Sequence, residues 1–177
     1  MSPIIETSRL LLREFTLEDI ADVYAFGSNE VVNRYTGDPL MESPAQARKV
    51  ISDTWLVDYK TYGYGRWALI YKPEKKLIGF VGLKYLSDIQ ETDIGYRLLP
   101  DYWGKGIATE AAKEVLAYGQ QTLGIKRIIG IAFPENIASC RVLEKIGLKW
   151  YKTADYPGEN KTLHWYQTTE VEGPEQS

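Results

Sequence analysis

A single cysteine and a single histidine occur in the 177 residues. Cys140 alone cannot form an internal disulfide, and with only His164 beside it a Cys/His zinc site is excluded. No set of carboxylates has a recognisable metal-ligand spacing, so no metal is expected. This cysteine usage suits a reducing, cytoplasmic setting. The chain has no Lys/Arg cluster and a formal net charge of −3, so neither nucleic acid nor an anionic membrane is an expected partner. The longest apolar runs, Leu77–Leu83 and Ile128–Phe133, fall far short of the about 20 residues that span a bilayer and read as buried strands. The opening Met-Ser-Pro-Ile-Ile-Glu lacks the basic and apolar regions of a secretory signal. No linker, repeat or low-complexity tract divides the chain. Residues 1–169 therefore read as one domain with a sizeable core, and the acidic, apolar-poor stretch 170–177 as a frayed tail.

The most informative stretch present is Tyr102-Trp-Gly-Lys-Gly-Ile-Ala-Thr109. Before it, Asp93-Ile-Gly-Tyr-Arg-Leu-Leu99 alternates apolar and polar positions with the period of a strand. After it, Ala108, Ala111, Ala112, Val115, Leu116, Gly119 and Leu123 form a helical stripe closed by Gly124. Gly104 and Gly106 let a ligand approach the backbone, and the first N–H groups of a helix have no intrahelical acceptor. Such a junction can hold a pyrophosphate. It is not a Walker loop, because Lys105 precedes Gly106 and Ile107 follows it. It is not a dinucleotide fingerprint either: Thr109 stands at the third glycine, and Lys126 and Arg127 where an acid belongs. A bare turn remains the alternative reading of the glycine pair.

Around this junction the order of elements is legible. Arg9–Arg13 predicts a first strand, and Thr16-Leu-Glu-Asp19 a capping box opening a helix. Ser43-Pro44 starts another helix through Trp55 and Leu56. Strands are expected at Arg66–Tyr71 and Leu77–Leu83, joined by a turn at Lys72–Lys76, then at 92–99. Helix 108–123, strand Arg127–Phe133, a helix after Asn136 ended by Gly147, and strands Leu148–Thr153 and Leu163–Thr169 follow. A meander followed by strand–helix–strand predicts an α/β fold with a mixed sheet and helices on both faces.

The segment Asn136-Ile-Ala-Ser-Cys-Arg-Val-Leu-Glu-Lys-Ile-Gly-Leu148 places Ser139, Val142, Leu143 and Ile146 on one helical face. Alone it is an amphipathic helix with Asn136 as N-cap. Together with Glu6–Asp19, Leu77–Leu83 and Asp93–Ala111, it resembles the GNAT superfamily of acetyl-CoA-dependent N-acetyltransferases, and within it the ribosomal-protein N-terminal acetyltransferase branch. The resemblance runs from about Glu6 to Tyr166.

That resemblance implies a mostly antiparallel sheet in which the strand before the glycine loop splays from its parallel neighbour at a bulge, opening a V-shaped cleft for acetyl-CoA. The backbone of Tyr96, Arg97 and Leu98 would pair with the pantetheine arm and acetyl carbonyl. The N–H groups of Gly104, Lys105, Gly106, Ile107, Ala108 and Thr109 would hold the pyrophosphate, Trp103 would join the cofactor site where many relatives carry Gln or Arg, and Asn136 would bond the arm from the opposite side. Lys105 reads equally as a phosphate ligand or a solvated side chain. The acceptor would be an amine, a protein N-terminus first and a small polyamine, amino acid or antibiotic second. A CoA-binding module without catalysis stays open, as does a homodimer.

Acetyl transfer needs a neutral amine, a donor for the oxyanion and a proton for the departing thiolate. The N–H of Leu98 suits the oxyanion. Many relatives carry a tyrosine acid where Leu143 stands, and leucine cannot donate. The ribosomal branch has serine where Ser139 stands, so Ser139 is the candidate acid, with small-residue packing as its alternative. Asp93 matches the strand carboxylate of relatives, and its short side chain suggests a water relay. Its alternatives are a solvent-facing residue at the strand's start, and Glu91 as the base. His164 reads as a cross-strand residue and Cys140 as packing. The acceptor region is expected from the early helices, the 62–67 loop and residues near 156–163.

Overall fold

In the computed structural model, which describes residues 2–169, the alternating stretches become strands β1 Ile5–Glu6, β2 Leu10–Arg13, β3 Arg66–Tyr71, β4 Lys76–Leu86, β5 Glu91–Leu98, β6 Ile128–Ala132, β7 Lys149–Asp155 and β8 Thr162–Gln167. The helices are α1 Ile20–Gly27, α2 Pro44–Val50, α3 Leu56–Tyr62, α4 Ile107–Gln121 and α5 Ile137–Lys145. The expected frayed tail lies outside the described residues. One sheet runs in the order β1-β2-β3-β4-β5-β6-β8-β7. All neighbours are antiparallel except β5 and β6, which gives the mixed, mostly antiparallel α/β sheet. β1 is an added edge strand that the sequence pattern does not reveal.

Side-chain alternation sends successive residues of each strand to opposite layers. Phe80 packs edge-on against Phe26 of α1 and Trp55, whereas Trp67 meets Tyr118 of α4 on the other face. The early helices therefore cover one face of the sheet, and α4 with α5 the other. Thr16 and Asp19 close the expected capping box, first as a 3-10 turn over Leu17–Asp19 and then as α1. The helix starting at Pro44 runs on to Tyr62 and contains a π-helical stretch, Ile51–Trp55. Its wider turn carries Trp55 into the core, stacked on Phe15 with centroids 4.3 Å apart.

The central feature is the parting of β5 from β6. They pair only at Thr92↔Ile128 and Asp93↔Ile129. Beyond Asp93, β5 continues to Leu98 with β4 alone on its flank. The expected bulge is not visible on β5, whose register with β4 is unbroken from Leu86↔Glu91 to Gly79↔Leu98. The irregularity sits one strand away, where Leu69 and Ile70 of β3 face Gly79 and Leu77 of β4.

Candidate active site

Leu99 N–H donates to the carbonyl of Ile78 at 2.9 Å, which fixes the parity of β5. In an antiparallel ladder alternate residues turn their peptide groups to the same neighbour. The N–H and C=O of Asp93, Gly95 and Arg97 therefore face β4, and those of Ile94, Tyr96 and Leu98 face the cleft. The expectation of a cofactor-facing backbone is corrected at Arg97, whose peptide groups are committed to β4. At Leu98 the carbonyl accepts from the indole N–H of Trp103 at 2.9 Å. The N–H and C=O of Tyr96 and the N–H of Leu98 thus remain open on the cleft edge.

Beyond the strand, Pro100–Tyr102 makes a 3-10 turn and the chain enters the glycine loop. Gly104 and Gly106 sit at φ +70° and +73°, the left-handed region where a side chain is strained. An added Cβ would meet nothing within 4 Å at Gly104 and only the Arg9 guanidinium, at 3.5 Å, from Gly106. Trp103 N–H is taken by Pro100 O, and Glu110 N–H by Gly106 O. Between them, the amides from Gly104 through Lys105, Gly106, Ile107 and Ala108 to Thr109 make no hydrogen bond to the described residues, at the positive end of α4. Arg9 braces this loop: its Nη2 donates to Lys105 O at 2.7 Å and its Nε to Glu110 Oε1 at 2.9 Å. Thr7 holds the other oxygen of Glu110. The sequence pattern did not expose this clamp, because its members lie about a hundred residues apart. Lys105 itself is exposed, with its ammonium 5.6 Å from the Tyr102 ring.

Across the cleft stands the start of α5. Asn136 caps it, with Oδ1 accepting from Ser139 N–H at 3.3 Å, which leaves its amide nitrogen as a donor. The Tyr96 hydroxyl donates to Ser139 O at 2.9 Å and lies 2.8 Å from Ser139 Oγ. Burial raises the Tyr96 phenol, against the opposing hydrogen bond from Ser139, so it stays protonated near neutral pH. Its side chain was missed as a functional group, although its alternation with Ile94 and Leu98 put it on the helix-facing side. Leu143 is buried and presses on Gly130, where an added Cβ would lie 2.5 Å from Leu143 Cδ2. Cys140 packs in the core and His164 Nδ1 meets Thr153 Oγ1 at 2.8 Å, both as read from the sequence.

The opposite face of β5 carries Asp93, Gly95 and Arg97. Asp93 does not face solvent. It is buried and its Oδ2 accepts from Arg66 Nη2 at 2.8 Å. Burial pushes the Asp93 carboxyl up, and the Arg66 charge and hydrogen bond offset this only in part. Gly95 makes room for Arg66, since a Cβ there would lie 2.6–2.8 Å from its guanidinium. Arg66 and Arg97 stand 5.8 and 5.2 Å from the centroid of the Phe80 ring. Both line a cavity of about 620 Å³ walled by Phe26, Trp55, Phe80 and Lys84 among others. Asp93 lies behind Arg66, not on the cavity wall. Glu91 is further from the cleft, tied to Arg127 at 3.1 Å. The early helices and Arg66 thus wall a cavity on the side where the acceptor is expected. From 156–163, Lys161 approaches its rim at Gly37, and Tyr156 turns to Asp88 instead. No group of His, Cys, Asp and Glu able to hold a metal occurs among the described residues.

The sequence profile of the acetyltransferase (GNAT) domain matches residues 9–149. An uncharacterised N-acetyltransferase of Bacillus subtilis, YoaA, is 38% identical over 150 residues, covering 84% of each chain. The spermidine N(1)-acetyltransferase of Escherichia coli K12 is 27% identical, over 77% of this chain and 70% of its own. Among solved structures, the ribosomal L7/L12 α-N-protein acetyltransferase RimL in complex with coenzyme A superposes with a TM-score of 0.80. It covers 94% of this chain and 97% of its own at 17% identity.

Proposed function

The chain belongs to the GNAT acetyltransferase family and is an N-acetyltransferase, and on that premise we propose that it moves the acetyl group of acetyl-CoA to a protein N-terminal α-amine. One observation carries the reading. β5 leaves β6 at Asp93, and the open edge this creates leads into a glycine loop whose amides bond none of the described residues. Acetyl-CoA supplies an acyl thioester and a pyrophosphate, and both ends find donors along one path.

On this path the amides from Gly104 to Thr109 bind the pyrophosphate, with Arg9 holding the loop in place. Tyr96 backbone and the Asn136 amide nitrogen hold the pantetheine arm from its two sides. Leu98 N–H donates to the acetyl oxygen as negative charge develops there. Asp93 takes a proton from the incoming ammonium through a water, because Arg66 stands between it and the cavity. The neutral amine forms the new C–N bond, its nitrogen sheds a second proton to water in the cavity as the C–S bond breaks, and Ser139 gives its proton to the departing sulfur. Tyr96, 2.8 Å away, returns a proton to Ser139 and is itself reprotonated from water. A second reading, a small-amine acceptor, is favoured by the size of the cavity, about 620 Å³, which suits a small molecule.

Thiol release from acetyl-CoA with a panel of peptide α-amines, a lysine side-chain amine and spermidine tests the proposal. Peptide α-amines are expected to turn over best. Preference for a non-peptide amine supports the second reading, and cofactor binding with no turnover of any amine overturns catalysis.

A further inference from the structure

We propose that the acceptor carries a carboxylate close to its amine, and that Arg97 is the anchor for it. The inference rests on the reading that an amine enters the cavity beside β5. Three cations stand in that cavity, Arg66, Lys84 and Arg97. Two are matched by sheltered acids: Arg66 by Asp93, and Lys84 by Asp58 at 3.1 Å, with side-chain exposures of 9% and 13% for the two acids. Arg97 is different. Its side chain is 16% exposed, yet its acid partner, Asp38, is 62% exposed and sits on the loop between α1 and α2. Its other contact is neutral, Nη1 to Asn33 Oδ1 at 3.0 Å.

A sheltered guanidinium needs a desolvated partner, and an exposed, screened carboxylate is a poor one. Arg97 is thus the least compensated cation in the cavity. It also lies two residues from Gly95 on the face that the acceptor must cross, with its guanidinium over the Phe80 ring. An amine placed at the Tyr96–Leu98 edge would bring a carboxylate a few bonds away to Arg97, with Phe26, Trp55 and Phe80 enclosing the rest. Asp38 can be displaced without stranding, because its exposed carboxylate is already solvated. The remaining acids at the mouth, Glu42 and Glu159, are exposed, and Glu159 is itself paired to Lys161. A polyamine would instead add cations to a floor that already holds three. The shared chemistry is an amino-carboxylate; it comes either from a free amino acid or from a peptide N-terminus with an acidic second residue.

The test compares matched acceptors by thiol release: phenylalanine against phenylalaninamide, Ala-Asp against Ala-Asn peptides with amidated ends, and spermidine. Calorimetry with the CoA-loaded protein measures binding of each without turnover. The carboxylate member of one pair is expected to lead by about ten- to a hundredfold, the worth of a charge-assisted hydrogen bond. Which pair shows it identifies the source. Arg97→Gln should shrink that ratio to within about threefold, and Asp38→Asn, which frees Arg97, should tighten the carboxylate acceptor. Equal or better handling of the neutral members or of spermidine overturns the proposal, as does an unchanged ratio in Arg97→Gln. Should Arg97→Gln fail to fold, the Asp38→Asn shift decides. If no amine turns over, the reading as a catalyst fails and the calorimetric ratio still judges this one.

Discussion

Replacing Arg66 with glutamine separates the buried Arg66–Asp93 pair beside the cavity into its parts. Arg66 and Asp93 are held at 2.8 Å, with 12% and 9% side-chain exposure. Removing the cation leaves a buried carboxylate whose nearest remaining compensation is the more distant Lys84 charge. Breaking such a pair from one side costs about 3–5 kcal/mol. At about 2–4 °C per kcal/mol for a domain of this size, the melting temperature at pH 8 should fall by roughly 6–20 °C. The sign of the pH dependence follows from burial. Asp93 already titrates above an unfolded aspartate in the wild type, and without Arg66 it must move higher still. A carboxyl raised on folding favours the native state when protonated, so its penalty is absent below the unfolded value near about 3.9 and fully present above the folded one. The deficit of Arg66→Gln should therefore shrink as pH falls from 8 to 5. The double variant Arg66→Gln/Asp93→Asn should recover stability at pH 8, because the stranded charge is gone. If Asp93 accepts the acceptor's proton, the acid limb of kcat/KM should also move to higher pH in the single variant. Thermal melts at pH 5 and 8 and a rate profile between pH 6 and 9 measure both. Equal melting deficits at the two pH values, or an unmoved acid limb with an intact fold, would refute the reasoning.

Asp93→Asn and Ser139→Ala should each lower kcat by about 10²–10⁴-fold when chemistry limits turnover, with acetyl-CoA affinity near normal by calorimetry; a wild-type rate and pH profile in Asp93→Asn would place the base elsewhere. Tyr96→Phe should reduce kcat less than Ser139→Ala, since it removes only the group that restores the serine proton, and an equal loss would make the phenol itself the donor. Gly106→Val adds no clash, as only Arg9 lies near its Cβ, but forces a branched residue to φ +73° at about 1–2 kcal/mol. It should weaken acetyl-CoA binding well beyond a melting drop of roughly 2–8 °C, and wild-type affinity in the folded variant would remove the pyrophosphate from this loop. Asn136→Ala should cost about 0.5–2 kcal/mol as a lost N-cap and also weaken cofactor binding; a stability loss with unchanged affinity would leave Asn136 a cap alone.

What was legible in the chain follows from the range over which each signal acts. The strand 92–99, the glycine loop and the helix behind it are contiguous, and their periodicities change where the backbone changes direction, so they could be read locally. The same is true of the Thr16–Asp19 box and the Asn136 cap. The parting of β5 and β6 has no local mark, and came only with the family resemblance. The details that decide the chemistry depend on register and on contacts between distant segments. Arg97 looked like a cofactor-facing backbone residue until the Leu99–Ile78 hydrogen bond set the parity of β5. Trp103 binds Leu98 O, and Arg9 binds Lys105 O, neither of which a pattern of apolar positions encodes. The slot for Arg66 is the clearest case. Gly82 and Gly95 face each other across β4 and β5, and the Gly95 half of that pair admits a guanidinium beside Asp93. Two glycines more than ten residues apart become one feature only when the register is known. Asp93 was recognisable as a carboxylate on the right strand, but its partner, its burial and its distance from the cavity were written in that pairing. If Asp93 is the base, its shielding by Arg66 makes it act through water, and the dependence of rate on Arg66 then reports on Asp93 without touching it.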